Sequence, residues 1–165
     1  MPVENLKSTK VTNFETGTVD NGLVYGLGGF YRDTVTIVNT TTSVGSTYKV
    51  MPLPSSLVPN YITIRSGASP LTDAPNVSAG LFHYQTGTTA ATAFATLLDI
   101  DDTGDHFAYN IGLGGITQTT EPRALWEIAG FTADPGGNFY ILLTAAANNV
   151  LAGSIEIVLQ ANDEY

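Results

Sequence analysis

Short stretches in which polar and branched apolar residues alternate recur along the chain. Residues 34–38 alternate with a period of two, so that Val35 and Ile37 share one face and threonines share the other. Residues 61–65 repeat this pattern around two isoleucines. Such alternation predicts β-strands with an apolar face toward a core and a threonine-rich face toward solvent. The residues expected to point inward are Val35, Ile37, Ile62 and Ile64.

Other short apolar or alternating segments extend this pattern over the rest of the chain. The Asn21-Gly22 pair predicts a hairpin turn, because both residues tolerate positive φ. Pro52 and Pro54 are expected to end one strand, because proline cannot donate a ladder hydrogen bond. About eight to ten short strands with turns between them are typical of a β-sandwich or barrel. The additional predicted strands are residues 11–14, 16–19, 23–25, 46–51, 80–85, 107–111, 124–128, 138–144 and 154–160, and residues 66–79 are expected to form a loop.

One stretch departs from the strand pattern. Within residues 90–99 the apolar side chains recur at steps of three and four residues, as on one face of a helix. Threonines at several intervening positions weaken this pattern, because β-branched side chains lose rotamer freedom in a helix. We therefore expect a single short helical segment here. The apolar residues concerned are Ala91, Phe94, Ala95 and Leu98.

The first ten residues differ from the rest of the chain. They hold two of its six basic residues, Lys7 and Lys10, and only scattered apolar ones, including Val3 and Leu6. A segment without a core face of its own predicts an extended N-terminal arm over residues 1–10, followed by a single β-sandwich domain over residues 11–165. A domain of this size can bury a substantial core. Two interpretations of the arm stay open: a frayed terminus, or an arm that docks on a neighbouring subunit.

Charge is scarce and unbalanced in this chain. Only 13% of its residues are charged, about half the average for soluble domains, and 15 acidic residues against 6 basic ones give a net charge of −9. Nucleic-acid binding needs a cationic surface opposite the phosphates, so we expect no nucleic-acid partner. Because cysteine is absent, disulfides are excluded. The N-terminus lacks an apolar signal segment and residues 141–153 are too short to span a bilayer, so no membrane partner is expected.

Two loop-like motifs suggest ligand binding but are incomplete. Gly-Leu-Gly-Gly occurs at residues 26–29 and 112–115, yet Tyr31 and Thr117 stand where a dinucleotide-binding loop has its third glycine. Residues 99–105 resemble the start of a calcium loop, without the glutamate that completes one. We interpret these residues as a solvated acidic loop, with a weak Ca²⁺ site at a subunit contact as the alternative.

Catalytic and metal-binding patterns are equally incomplete. His83 and His106 do not have the spacing of a metal-binding pair, and the nucleophile-elbow motif Gly-x-Ser-x-Gly does not occur. His83 is expected on the polar face of a strand or at an interface. We therefore predict a chain that is not an enzyme, with no catalytic residue, no cofactor and no bound metal.

Aromatic residues allow two interpretations. Exposed rings can stack on sugars, so the single tryptophan and the tyrosines could form a carbohydrate-binding platform. Aromatic side chains also bury more area than most others, and we favour their placement in the core and in subunit contacts. The residues concerned are Trp126, Tyr25, Tyr31, Tyr48, Tyr61, Tyr84, Tyr109 and Tyr140.

The order of these elements resembles that of a family of tailed-bacteriophage head proteins. The strand at residues 138–144, the short spacer and the segment at residues 151–160 resemble the end of those chains, and Lys7-Ser8-Thr9 matches the arm with which they start. Residues 91–99 correspond to their short helical segment. The family is that of the capsid decoration, or cement, proteins.

This resemblance implies a fold, a role and partners. It implies a β-sandwich of jelly-roll type with an N-terminal arm, acting as a structural virion protein that binds and stabilises the outer surface of a phage head. The partners would be the major capsid protein and further copies of the chain in a homotrimer, assembled in the host cytoplasm and located on the capsid. The arm residues expected to contact a neighbour or the shell are Val3, Leu6, Lys7 and Lys10. The alternative is a carbohydrate- or receptor-binding β-sandwich domain of a phage tail or fibre.

Overall fold

The protein is described by a computed structural model, which covers residues 3–18, 29–37, 43–66, 76–99, 105–110, 123–146 and 153–161. These residues contain nine β-strands and two short helices. In chain order they are β1 (Asn5–Lys7), α1 (Thr9–Thr16), β2 (Phe30–Ile37), β3 (Thr47–Pro54), β4 (Pro59–Ser66), β5 (Asn76–His83), β6 (Thr89–Asp99), β7 (Asp105–Asn110), α2 (Leu125–Ile128), β8 (Asn138–Ala145) and β9 (Gly153–Ala161).

The strands form two sheets. The five-stranded sheet has the order β1-β3-β8-β5-β6, and the four-stranded sheet has the order β2-β9-β4-β7. All neighbouring strands are antiparallel except β1, which runs parallel to β3. The expectation of an all-β, two-sheet protein is therefore confirmed.

One hydrophobic core joins the two sheets. Val35, Ile37, Ile62 and Ile64 are at most 1% exposed, so the inward face predicted from the alternation is confirmed. These residues of the four-stranded sheet belong to the same cluster as side chains from the five-stranded sheet, and the two sheets therefore pack face to face. The partners from the five-stranded sheet are Tyr48, Val50, Met51, Leu53, Val77, Ala79, Leu81, Phe139, Ile141 and Leu143.

Strand β3 does not end at Pro52, as the sequence led us to expect. Its pairing with β8 shifts register between Val50 and Pro52 and then continues to Pro54. Met51 has a φ of 59° at this irregularity. A bulge removes residues from the regular ladder, and this is where a strand tolerates a proline without an N–H.

The strand predicted at residues 11–14 lies in helix α1, and the one predicted at residues 16–19 begins with the last residue and the C-cap of that helix. Ser8 is its N-cap, with its Oγ accepting from the Val11 N–H at 3.2 Å. Gly17 ends the helix with a φ of 68°, and its N–H bonds to the carbonyls of Asn13 and Phe14. The two caps outweigh the β-propensity of the threonines between them. The expected boundary between arm and domain at residue 10 consequently falls inside α1.

The helix predicted at residues 90–99 is wrong, because this segment is strand β6 beside β5. Its pairing is irregular: between Ala79 and Leu81 of β5, the partner in β6 changes from Ala95 to Ala90, three residues more than regular pairing requires. This bulge explains why apolar residues recur at steps of three and four in a strand.

Two further expectations need correction, and others fall outside the described residues. The strand predicted at residues 124–128 is the short helix α2, whose Glu127 carboxylate accepts from the Ala124 N–H at 2.9 Å. The loop expected at residues 66–79 gives way to β5 from Asn76 onward. The predicted turn at residues 21–22, the strand at 23–25, the glycines at 112–115 and most of the acidic loop lie outside the described residues.

Candidate interaction surfaces

A buried carboxylate fixes the N-terminal segment to the domain. Asp33 of β2 is 6% exposed, and its Oδ2 accepts from the Ser8 hydroxyl at 2.5 Å and from the Met51 N–H at 2.8 Å. Its Oδ1 accepts from the Thr34 N–H at 2.8 Å. One side chain thus joins the N-cap of α1, strand β2 and the bulge of β3, and it satisfies three donors, two of which belong to other elements.

Strand β1 adds backbone hydrogen bonds to this attachment. The Thr47 N–H donates to the Glu4 carbonyl at 2.8 Å, and the Ser8 N–H donates to the Lys49 carbonyl at 2.9 Å. The Glu4 N–H donates to the Ser46 hydroxyl at 3.0 Å. The predicted arm therefore lies along its own domain as an edge strand, and its docking on a neighbouring subunit stays a prediction.

The four residues predicted as arm contacts occupy different environments. Val3 is 56% exposed, whereas Leu6 packs against the core. Lys7 forms an ion pair with Glu15 of α1, and the Lys10 Nζ donates to the Arg32 carbonyl at 2.6 Å. Only Leu6 and Lys7 share a surface, because both line a cleft between β1 and β3.

This cleft has a volume of about 110 Å³. Its floor joins β1 and β3 through the Thr47 hydroxyl, which donates to the Asn5 side-chain oxygen at 2.7 Å. Lys7 and Lys49 are direct cross-strand partners at one end, and the Lys49 Nζ lies 3.5 Å from the centroid of the Phe82 ring. The lining residues are Asn5, Leu6, Lys7, Thr47 and Lys49.

Electrostatics in the cleft are unfavourable for the second lysine. Burial lowers the pKa of Lys49, the neighbouring charge of Lys7 lowers it further, and the Glu15 carboxylate opposes both effects. Lys7 and Lys49 are two of the six basic residues of the chain, and they are neighbours in this cleft. Lys49 was not singled out from the sequence, because its position next to Lys7 depends on a parallel pairing across about forty residues.

Helix α1 covers part of the outer face of the five-stranded sheet with aromatic contacts. The Phe14 ring packs edge-on against Tyr84 at 5.7 Å and Tyr140 at 6.2 Å, and Tyr140 stacks on Phe82 at 6.1 Å. Tyr140 is fully buried. This burial raises the pKa of the Tyr140 phenol well above its usual range, and the negative charge of Glu15 adds to the effect. Part of this sheet face is therefore occupied by the chain itself.

The outer face of the four-stranded sheet is different, because most of its side chains reach solvent. Phe30 is 56% exposed at one end, with its ring in edge contact with Tyr61 at 6.5 Å. The Glu156 carboxylate lies 2.9 Å from Arg32 Nε and 3.7 Å from Arg65 Nη1. The described side chains of this outer face are Phe30, Arg32, Thr34, Thr36, Tyr61, Thr63, Arg65, Ser154, Glu156, Val158 and Gln160.

This outer face is nearly neutral in a strongly acidic protein. Glu156 is shared by the two arginines, so the charged side chains described on this face leave only one net positive charge. The remaining described positions are uncharged. Phe30 was not singled out from the sequence, although it has the same strand parity as Thr34 and Thr36 and could have been placed on the outer face from that alternation.

His83 is not on a polar face or at an interface as expected, because its side chain is buried in the chain. The Thr86 N–H donates to Nδ1 at 3.3 Å, so Nε2 carries the proton and donates to the Gly136 carbonyl at 2.8 Å. The rings of Phe131 and Phe139 pack around it at 5.6 and 4.7 Å. His83 therefore joins two loops of the fold. His106 lies in β7, and its side chain is outside the described part of the chain.

The tyrosines divide between the two interpretations that the sequence left open. Tyr48 is completely buried in the core as expected, Tyr140 is completely buried on the outer sheet face beneath α1, and Trp126 is half-buried against the core. Tyr84 is 40% exposed. The most exposed ring in the described residues is that of Phe30.

The described residues contain neither a cluster of metal-binding side chains nor a helix that could span a membrane. No group of three or more histidine, aspartate and glutamate side chains lies close enough there to hold a metal ion. No helix among these residues has the length and apolar character needed to cross a bilayer. Comparisons of the chain with protein-family models, with curated proteins and with solved structures found no match.

Proposed function

We propose that the chain is a structural virion protein of the capsid-decoration type, which binds the outer surface of a phage head as a trimer and stabilises it. The observation that supports this role most directly is the exposed, nearly neutral outer face of the four-stranded sheet. Protein interfaces are depleted in lysine, glutamate and aspartate and enriched in aromatic residues and arginine. The outer face has this composition, with Phe30, Tyr61 and two arginines. The role needs no catalytic residue and no cofactor.

A jelly-roll topology is part of the proposal. Four antiparallel pairs are nested in the chain, namely β2 with β9, β3 with β8, β4 with β7 and β5 with β6. Successive pairs alternate between the two sheets, as they do when one long hairpin is rolled up into a sandwich. This nesting supports the jelly roll over other sandwich topologies.

The size of the outer face supports binding by several copies together. Four strands about 4.8 Å apart, each about eight residues long, cover roughly 500 Å². A stable protein interface buries about 800 Å² on each partner. One copy of the outer face is therefore too small for tight binding by itself. A trimer would engage the shell at three such faces and gain avidity without any new contact.

Purified virions provide the first test. Quantitative mass spectrometry should find the chain at hundreds of copies per particle, as a decoration protein requires. A few copies per particle would contradict the proposal and indicate a tail or fibre component.

Add-back to particles that lack the chain provides the second test. Phe30→Asp places a charge on the outer face, and we expect it to reduce the number of bound copies at least tenfold. Val44→Asp is the matched control, since Val44 is 53% exposed in the turn before β3, next to the end of β8 in the other sheet. Equal binding of the two variants would refute the role of the outer face.

The carbohydrate-binding alternative has one specific observation in its favour. Phe30 and Tyr61 form an exposed edge-to-face pair, and both are cross-strand partners of Gln160. Aromatic rings beside an amide suit the apolar face and hydroxyl groups of a sugar. Binding of the purified chain on a glycan array, lost in Phe30→Ala and retained in Val44→Ala, would favour this alternative over decoration.

A further inference from the structure

We propose that the cleft between β1 and β3 binds an acidic side chain of a second copy of this chain, with Lys7 and Lys49 holding the carboxylate. This inference rests on the proposed role as a decoration protein that associates with itself, and it names the contact. It also gives a function to Lys7, which was predicted from the sequence as a partner-binding residue.

The register of the two lysines carries the inference. Lys7 and Lys49 are direct partners in the parallel pair of β1 and β3. Like charges placed directly opposite each other on neighbouring strands destabilise a sheet. An anion between them removes the repulsion and gains two charge-assisted hydrogen bonds. The proximity of Lys7 and Lys49 therefore destabilises the isolated chain and favours a complex in which an anion lies between them.

Within the chain, Lys7 and Lys49 have one carboxylate partner between them, so one of their two positive charges is not neutralised. Lys7 has an ion pair with Glu15, and Lys49 lies over the Phe82 ring. Glu15 is thus the one carboxylate paired with a lysine of the cleft among the described ion pairs. Burial is the largest cause of the lowered pKa of Lys49, and the neighbouring charge of Lys7 lowers it further.

The size of the cleft limits the ligand. Its accessible volume is about 110 Å³, and a cavity needs about 10–15 Å³ of such volume to hold one water molecule. There is room for a carboxylate with its adjoining methylene groups. The Thr47 hydroxyl and the Asn5 amide supply polar atoms to the lining of the cleft.

Charge complementarity identifies the second copy as the source of this side chain. The chain carries 15 acidic and 6 basic residues, so most approaches between two copies bring like charges together. The cleft is a place where an acidic residue of the neighbour meets an excess of positive charge. Contacts of this kind set the orientation of association as well as its strength.

Sedimentation of the full-length chain tests the inference. We expect Lys49→Gln and Lys7→Gln each to weaken self-association at least tenfold relative to the wild type. Arg123→Gln is the matched control, because it removes one exposed positive charge that lies outside the cleft. Wild-type affinity in both cleft variants, or a wild type that stays monomeric at all concentrations, overturns the inference.

NMR titration of the wild type identifies the anion and does not depend on the folding of any variant. Acetate should shift the backbone amide signals of Leu6, Lys7 and Thr47, and inorganic phosphate at equal ionic strength should shift them less. Stronger binding of phosphate, or no shift with either anion, overturns the assignment to a carboxylate.

The particle experiments separate this inference from the proposed function. A chain that decorates virions but associates equally well in the cleft variants refutes the cleft and leaves the decoration role standing. A chain that associates through the cleft but is missing from virions refutes the decoration role and leaves the cleft standing.

Discussion

Replacing Asp33 with alanine removes the acceptor that joins the N-terminal segment to β2 and β3. Three donors lose their partner: the Ser8 hydroxyl, the Met51 N–H and the Thr34 N–H. A buried donor without a partner costs about 1–3 kcal/mol. Thr34 is exposed and its N–H can bond to water, so two donors remain, and we expect Asp33→Ala to lower the free energy of unfolding by about 2–6 kcal/mol.

The loss should be unevenly distributed along the chain. Asp33 is the side-chain contact between the N-cap of α1 and the bulge of β3, so α1 and β1 should lose protection before the sheets do. Urea unfolding measures the global effect, and hydrogen exchange of residues 3–18 measures the local one. Asp134→Asn is the control, because Asp134 accepts from the Gly136 N–H in an exposed loop. Unchanged exchange of residues 3–18 in Asp33→Ala would refute the anchoring role.

Two further substitutions test other parts of the fold. Gly80→Ala should destabilise the protein by about 3 kcal/mol. A Cβ at this position would lie 2.6 Å from the Ala91 carbonyl oxygen, so the backbone of the β6 bulge would have to move. Thermal unfolding measures the effect, and a loss no larger than that of Ser78→Ala, on the same strand face, would contradict the prediction. Tyr140→Phe should make stability less sensitive to alkali. The pKa of Tyr140 is raised in the folded state, so its contribution is complete below pH 10 and falls above it by at most about 1.4 kcal/mol per pH unit, whereas the lowered pKa of Lys49 acts in the opposite direction. The midpoint of urea unfolding, measured between pH 9 and 11, compares Tyr140→Phe with the wild type, and Tyr84→Phe is the control. Parallel plots of midpoint against pH for the two variants would contradict the prediction.

The alternation of polar and apolar residues predicted the core well, because successive side chains of a strand point to opposite faces of the sheet. Val35, Ile37, Ile62 and Ile64 point inward as expected. The errors arise where caps or bulges override the periodicity. Ser8 and Gly17 enclose a helix in a threonine-rich stretch, and the bulge of β6 gives a strand the apolar spacing of a helix. Signals for the caps are present in the sequence, whereas the bulge depends on pairing with β5.

The candidate surfaces were less predictable than the core. Lys7 was identified from its place in the N-terminal segment, but Lys49 comes next to it only through the parallel pairing of β1 with β3. Phe30 and Glu156 likewise belong to strands separated by most of the chain. Sites assembled from distant strands have no fixed spacing in the sequence. Local reasoning therefore finds individual members of such a site and misses their combination.

The pairing of β1 with β3 also controls how the five-stranded sheet can grow. An edge strand with unpaired backbone groups is a template for adding a strand from another molecule. Along β3, residues Thr47 to Lys49 are covered by β1, and the following part contains the bulge together with Pro52 and Pro54, which have no N–H to offer. The short strand β1 in turn presents only three residues. Growth by strand addition is thus disfavoured at this end of the five-stranded sheet.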